Sequence, residues 1–368
     1  MKKLFIISNS SWNIYNFRLN LIIKLLDKCK IYISSPNDKF SEKFKDLSIE
    51  YIPINYSRKS FNFLTNFIII IKYYIIFLKK KPDIVLLYTI KPNIFISISS
   101  LLTLKNIDQY NFITGIGNLY FSKKIKKNFI LFLYKLSFLK SKKVIFQNSD
   151  DLNYFVNKKI VSKKKCVLIS GSGIDSKFFK FCKLQKTNSE ELKFLCVSRI
   201  IEHKGIIEYL NAAKLIKKEF PKISFTLIGS IDNQYPTKFN PKDLNNFQSI
   251  VDFVEFSENI YEFLKNCDCF ILPSYREGTS KSLLEAASVG RPIITTNVPG
   301  CNNVVIDNVN GYLCKPKDSI SLYKKIKKMI NTDFITRDRM SIKGREIIEN
   351  SFDNEVINNK IISLLDLN

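Results

Sequence analysis

Short apolar runs alternate with longer stretches of helical period along most of the chain. A chain so built buries its strands in parallel sheets covered by helical crossovers. In the first half the pattern predicts strands at 3–8, 31–34, 51–54, 83–87, 110–114, 143–146 and 166–169, with helices at 16–28, 60–79, 91–103 and 124–139. The second half restarts the rhythm with strands at 193–197, 223–228, 252–254, 268–272 and 292–295, and helices near 204–218, 258–265 and 280–289. The expected fold class is α/β, two Rossmann-like domains in tandem, and 368 residues suit two domains of about 150–200 residues each. Gly171-Ser172-Gly173 and the polar stretch up to Glu191 carry neither period and read as a linker. The expected domains are therefore 1–170 and 192–350, joined by 171–191. An amphipathic C-terminal helix within 351–368 can cross back to the first domain.

Charge distinguishes the halves. The chain holds 58 Lys and Arg against 33 Asp and Glu, yet residues 1–170 hold 30 basic and 9 acidic side chains while 171–368 hold 28 and 24. Such a field is expected to draw the first domain to an anionic surface, either nucleic acid or the cytoplasmic leaflet, where each nearby Lys is worth about 1 kcal/mol. With 45% hydrophobic residues the chain can bury a core, which excludes disorder and coiled coil. Phe61–Leu78 is apolar enough to suggest a membrane span, but Asn62, Thr65, Asn66 and Lys72 interrupt it and a strand pattern, Lys81 to Leu87, follows at once. It reads as a crossover helix. Eight cysteines without a CxxC pair and a single His offer no zinc pattern, so reduced thiols and no metal are expected. Met1 to Ser8 reads as a buried first strand rather than a signal peptide, which makes the expected location cytoplasmic.

Glycine and arginine are scarce, at 11 and 8, and nine of these nineteen fall in four loops. The loops are Asn16-Phe17-Arg18, Thr114-Gly115-Ile116-Gly117, Ser198-Arg199 through Lys204-Gly205, and Arg276-Glu277-Gly278 through Gly290-Arg291-Pro292. The third leaves strand 193–197 at its carboxyl end, where open α/β sheets bind ligands. Lys204 at the start of the next helix opposes the helix dipole, which is sensible if an anion such as a diphosphate shares that end. The alternative is a Lys204 pointing into solvent and an Arg199 paired with a carboxylate. In the fourth loop Glu277 and Glu285 flank a strand-to-helix turn, Gly278-Thr279-Ser280-Lys281. Gly278 lets backbone approach a ligand, the first helical turn offers N–H groups, and two carboxylates so spaced suit an extended polyhydroxyl ligand. Alternatively, Ser282-x-x-Glu285 is only a capping box.

Arg199, Lys204, Glu277 and Glu285, with Leu272-Pro273-Ser274 before and Gly290-Arg291-Pro292-Ile293-Ile294 after, resemble family 4 of the retaining glycosyltransferases. In the first half Tyr15-Asn16-Phe17-Arg18, Thr89-Ile90-Lys91-Pro92, Thr114-Gly115-Ile116-Gly117 and Phe146-Gln147-Asn148-Ser149 look like the bacterial branch that builds lipid-linked polysaccharides, O-antigens and capsules. The resemblance implies a GT-B fold, two Rossmann-like domains facing a cleft. It implies that Arg199 and Lys204 neutralise the donor diphosphate, that Glu285 holds the ribose, and that Glu277 with Gly278, Thr279, Ser280 and Lys281 holds the donor sugar. Asn16, Arg18, Lys91, Gly115 and Gly117 fall to the acceptor side or the cleft. The co-substrate implied is a UDP-sugar, with no other cofactor and no metal, and the acceptor a polyprenyl diphosphate saccharide. Two features depart from the family: Ser8-Asn9-Ser10-Ser11-Trp12-Asn13 replaces a Gly-Gly pair, and the only His, His203, reads as a loop residue rather than a base.

The basic half then acquires a purpose. Lys123, Lys124, Lys126 and Lys127 precede an apolar helix that ends in Lys140-Ser141-Lys142-Lys143, suited to an anionic inner leaflet. Two rivals are a GT-B UDP-N-acetylglucosamine 2-epimerase, which would want titratable groups that one His does not supply, and a basic nucleic-acid-binding protein. No RRM signature, finger or helix-turn-helix supports the latter, so no nucleic-acid partner is expected.

Overall fold

The structure, a computed structural model, describes residues 1–55, 63–231 and 241–367. They form two units, Met1–Ser172 with Ile357–Asn368, and Gly173–Val356. The first unit holds β1 (Lys2–Ile7), β2 (Cys29–Ser35), β3 (Ile49–Pro53), β4 (Ile84–Tyr88), β5 (Asp108–Ile113), β6 (Ser141–Phe146) and β7 (Cys166–Leu168) in the order β3-β2-β1-β4-β5-β6-β7. Every pairing is parallel. Continuous apolar strands such as Ile84–Tyr88 are required because both faces are covered. On one face Phe5, Ile7, Val85 and Leu87 pack against Tyr73, Phe77, Ile94, Tyr134 and Phe138. On the other, Leu4, Ile6, Leu86 and Tyr88 meet Ile14, Leu21 and Ile22, together with Ile357 and Ile361 of the last helix, Asn354–Leu364. The Tyr110 hydroxyl donates to the Leu364 carbonyl at 3.1 Å, so the chain's last turns belong to the first unit.

The apolar segment after β3 forms the crossover helix Phe63–Lys80. Its expected start at 60–62 lies outside the described residues. Among the described residues no helix is long and apolar enough to cross a membrane. The expected helix 91–103 is divided into a π-turn, Pro92–Ile96, and a short helix, Ser97–Leu101. A buried amide and hydroxyl network fastens it to β5 and β6: Asn111 Nδ2 donates to Asn93 Oδ1 at 2.9 Å, and Gln109 Nε2 donates to Ser97 Oγ and Ser141 Oγ, each at 3.0 Å. Asn16 and Arg18, read both as a loop and as the start of the helix 16–28, lie inside the helix Ser11–Leu25. Ser10 accepts from the Asn13 N–H at 3.2 Å and starts that helix five residues early, because a Ser/Asn-rich run offers several competing caps.

The second unit holds β8 (Lys193–Val197), β9 (Ser224–Ile228), β10 (Asp252–Val254), β11 (Cys269–Leu272), β12 (Ile293–Thr296) and β13 (Gly311–Cys314), ordered β10-β9-β8-β11-β12-β13 and again parallel throughout. Strand β13 was not expected, since four residues after Asp307-Asn308-Val309-Asn310 give no period to read. Gly311 starts it because a Cβ there would lie 1.9 Å from the Ile293 carbonyl oxygen.

The segment 171–191 is not a free linker. From Gly173 on it is part of the second unit, held by side chains that grip its backbone. Arg345 Nη1 donates to the Phe179 carbonyl at 2.9 Å, Ser288 Oγ to the same oxygen at 2.7 Å, and the Cys182 N–H to Val289 at 3.1 Å. Such a segment shows no helix or strand period because its hydrogen bonds come from distant residues rather than a ladder. Arg291 has the same task. Buried to 2% exposure, it donates to the Cys267 carbonyl at 3.0 Å and to that of Cys182.

Candidate active site

In each sheet the strand order reverses beside the first strand of its unit, between β1 and β4 and between β8 and β11. The crevice beyond the carboxyl ends at such a point is where these sheets take ligands. In the second unit the two loops bounding it are Ser198–Gly205 after β8 and Pro273–Ser280 after β11.

Three glycines fix these loops. Gly229 lets β9 end against the first loop, since its Cβ would sit 1.8 Å from the Ser198 carbonyl oxygen. Gly205, left-handed at φ 70°, lies so near the second loop that a Cβ would be 2.0 Å from the Pro273 oxygen. Gly300, at φ 80°, does the same beneath Glu277, 2.5 Å from its carbonyl. Glu277 N–H donates to Pro299 at 3.0 Å and Ser280 N–H to Gly300 at 3.3 Å.

Lys204 stands in a 3-10 turn, Glu202–Lys204, and not in the helix that begins at Ile206. Its ammonium pairs with Glu277 Oε1, both side chains being largely covered. Ser274 Oγ lies 2.6 Å from the same carboxylate oxygen and 3.1 Å from the His203 carbonyl. His203 is half-buried, burial lowers its pKa, and its carbonyl accepts the Tyr275 N–H at 2.8 Å. It thus serves the loop through its backbone. Arg199 is exposed on the same edge, next to Ile200, whose N–H donates to Ser230 at 3.0 Å.

The helix Lys281–Val289 begins after Ser280, whose side chain makes no capping hydrogen bond. Ser282 is then the second and Glu285 the fifth helical residue, which removes the capping-box alternative. Glu285 is mostly buried, its side chain 12% exposed, with Lys281 Nζ 3.8 Å away. Burial pushes its carboxyl up to about 7, with Lys281 offsetting part of the rise. The solvated-Lys204 alternative fails equally, since its partner is Glu277. Sequence reasoning missed the Ser274 hydroxyl, and no spacing rule marks a serine that bridges two loops.

In the first unit two of the flagged residues, Arg18 and Lys91, are buried, while Asn16, Gly115 and Gly117 are partly exposed. Arg18 is 3% exposed, its guanidinium carbon 4.1 Å from the Tyr88 ring centre. Burial lowers its pKa and Nε has no hydrogen-bond partner among the described residues. Lys91 is 5% exposed and its pKa is lowered by burial. It follows Thr89, a β-branched residue at φ 68° at the carboxyl end of β4, a conformation costing about 1–3 kcal/mol. Asn16 Nδ2 donates to the Trp12 carbonyl at 2.9 Å. Gly115 has φ 105°, Gly117 opens the helix Gly117–Phe121, and Asp151 Oδ2 steadies the turn between them by accepting the Ile116 N–H at 3.3 Å.

Residues 179–347 match the family described as glycosyl transferases group 1, and residues 3–148 match glycosyl transferase 4-like. The chain is a glycosyltransferase built of these two domains. Over 98% of its length and 97% of the relative's, this glycosyltransferase is 27% identical to the N,N'-diacetylbacillosaminyl-diphospho-undecaprenol alpha-1,3-N-acetylgalactosaminyltransferase of Campylobacter jejuni. It is 26% identical to the capsular polysaccharide biosynthesis glycosyltransferase CapM of Staphylococcus aureus, covering 89% of this chain and 87% of that one. The fold is GT-B, and Anabaena Alr3699/HepE, solved in complex with UDP and glucose, superposes with a TM-score of 0.78 at 17% identity over 99% of each chain.

Proposed function

We propose that this glycosyltransferase moves a hexose or N-acetylhexosamine from a UDP-sugar to a polyprenyl diphosphate-linked saccharide, with retention, in cell-surface polysaccharide synthesis. The observation that carries the reading is the Lys204–Glu277 pair at the β8/β11 reversal, ahead of a helix whose first turn has no side-chain cap. A diphosphate placed there meets a cation and a helix N-terminus together. As the bond from the sugar to UDP breaks, negative charge grows on the departing phosphate. Lys204 and Arg199 are assigned to offset it. Glu277, fixed by Ser274 and Lys204, is assigned to the donor sugar with the backbone of Gly278 to Lys281, and Glu285 to the ribose. The lipid-linked acceptor places the enzyme at the cytoplasmic leaflet, with Lys123, Lys124, Lys126 and Lys127 facing anionic lipid. The relatives' names, one an undecaprenol-diphosphate sugar transferase and one a capsule enzyme, support this choice.

The test is incubation with a panel of UDP- and GDP-sugars and a polyprenyl diphosphate saccharide, followed by mass and anomeric analysis of the product. A new glycolipid with the donor's anomeric configuration is expected. Release of an epimerised sugar without acceptor would instead select the 2-epimerase.

Glu285 gives a pH signature. Its folded-state pKa lies above the ordinary value of 4.5, near 7, so the folded chain holds a proton that the unfolded chain has lost. Stability should therefore fall as pH rises from about 4.5 to 7 and then level off, and Glu285→Gln should flatten that slope in melting temperatures taken across the window. Ribose hydroxyls donating to Glu285 favour the carboxylate, so UDP binding near pH 7 should release protons. Calorimetry in buffers of different ionisation enthalpy reads this directly, and no proton release would remove Glu285 from the ribose.

A further inference from the structure

The crossover helix Phe63–Lys80 is mostly apolar, on its exposed side as well as its buried one. Asn66, Ile69, Tyr73 and Phe77 are buried against the first sheet, whereas Leu64, Phe67, Ile68, Ile71, Ile75 and Leu78 remain 41% to 69% exposed. Apart from the adjacent pair Phe67 and Ile68, these six recur at intervals of three and four residues, so they form one stripe along the helix. The helix Lys124–Ser137 repeats the arrangement, with Ile130, Leu131 and Tyr134 buried and Ile125, Phe129 and Phe132 54% to 86% exposed.

Both helices lie in one layer. Each packs on the Pro92–Ile96 turn and the Ser97–Leu101 helix, and both enter the same core beneath them. Ser99 Oγ donates to the Ile70 carbonyl at 2.9 Å. Lys140, just beyond the second helix, donates to the Thr103 carbonyl at 2.9 Å. The outward faces of the layer therefore make a broad apolar surface on the unit that carries the chain's cationic excess, far more than scattered single residues.

We propose that this two-helix face is the membrane-docking surface of the enzyme, seated in the interfacial region of an anionic leaflet with the helices lying flat and their apolar stripes among the acyl chains. The choice of occupant follows from charge. Neither helix contains an acidic residue, and Lys72, Lys79, Lys124, Lys126 and Lys135 stand exposed on them. Two copies meeting through this face would bring like charges together, whereas an anionic leaflet neutralises them while the stripes insert. This deepens the membrane reading above and rests on it. Because the apolar contribution is not screened, part of the binding should survive high salt.

The test compares three full-length proteins on phosphatidylglycerol-containing and neutral vesicles: the wild type, a stripe variant with Ile68→Ser, Ile71→Ser and Ile75→Ser, and a charge variant with Lys123, Lys124, Lys126 and Lys127 changed to Gln. The wild type should sediment with the anionic vesicles and keep a bound fraction at about 1 M salt, where charge is screened beyond about 3 Å. The stripe variant should partition at least about tenfold more weakly and lose the salt-resistant fraction. Its melting temperature and its turnover on a water-soluble acceptor analogue should stay those of the wild type. The charge variant should lose binding mainly at low salt. Undiminished binding by the stripe variant overturns the proposal. So does a lipid-free wild-type dimer that the same three changes convert to monomer, which would assign the face to a second copy. A wild type that binds no vesicle yet glycosylates the soluble acceptor overturns the docking surface and leaves the transferase reading standing.

Discussion

Lys204→Ala lowers kcat/KM for the nucleotide-sugar by about 10²–10³-fold, the usual effect of removing one charge-stabilising group from a transition state. Lys204 is the cation that the second unit holds in place by design of its loops. Gly205 turns the chain, Glu277, itself held by Ser274, fixes the ammonium, and little of its side chain is exposed. Arg199→Ala should cost less, because Arg199 is exposed on the same edge and is not held by that pair. Since Lys204 and Glu277 form one unit, Glu277→Gln both disturbs the donor-sugar contact and frees Lys204. The double variant should then be clearly less impaired than the product of the two single losses. Full additivity in steady-state kinetics would show that the pair does not act together. UDP affinity by calorimetry separates the roles further: Glu277→Gln should lower turnover more than affinity, and Glu285→Ala the reverse.

Much of the fold could be read from period alone, because buried parallel strands such as Ile84–Tyr88 and Cys269–Leu272 are continuous apolar runs. The failures have two causes. Strand β13 and the packing of 173–191 depend on contacts with residues far along the chain, such as Ile293 beneath Gly311 and Arg345 on Phe179, whereas the early start at Ser11 turns on which of several neighbouring caps is used. Site residues were legible as types. Their relations were not. Lys204 and Glu277 are 73 residues apart, and it is the pairing of β11 with β8 that brings their loops together. The flagged residues of the first half were located without their environment. Arg18, expected on the acceptor side or the cleft, lies against Tyr88 in the core, and local spacing carries no signal for that burial.

Gly205→Ala should be strongly damaging to the second unit. The residue sits at φ 70°, where an L side chain is strained, and the added Cβ would lie 2.0 Å from the backbone oxygen of Pro273. Backbone oxygen cannot swing aside as a flexible side chain does, so the two loops must separate. Strain and overlap together should cost about 2–4 kcal/mol, lowering the unit's melting temperature by about 4–16 °C. Because the same separation draws Lys204 from Glu277, turnover should fall even in the molecules that remain folded. Gly344→Ala is the internal control. Gly344 lies within the helix Phe334–Ser351, and its Cβ would meet Ala287 at an ordinary 3.7–3.8 Å, so alanine there should add about 0.5–1 kcal/mol of helix propensity. The two substitutions are chemically identical and should move the melting temperature in opposite directions while only Gly205→Ala reduces donor binding. Equal tolerance of both, measured by calorimetric melting and UDP titration, would mean that the Gly205 turn does not hold the two loops together.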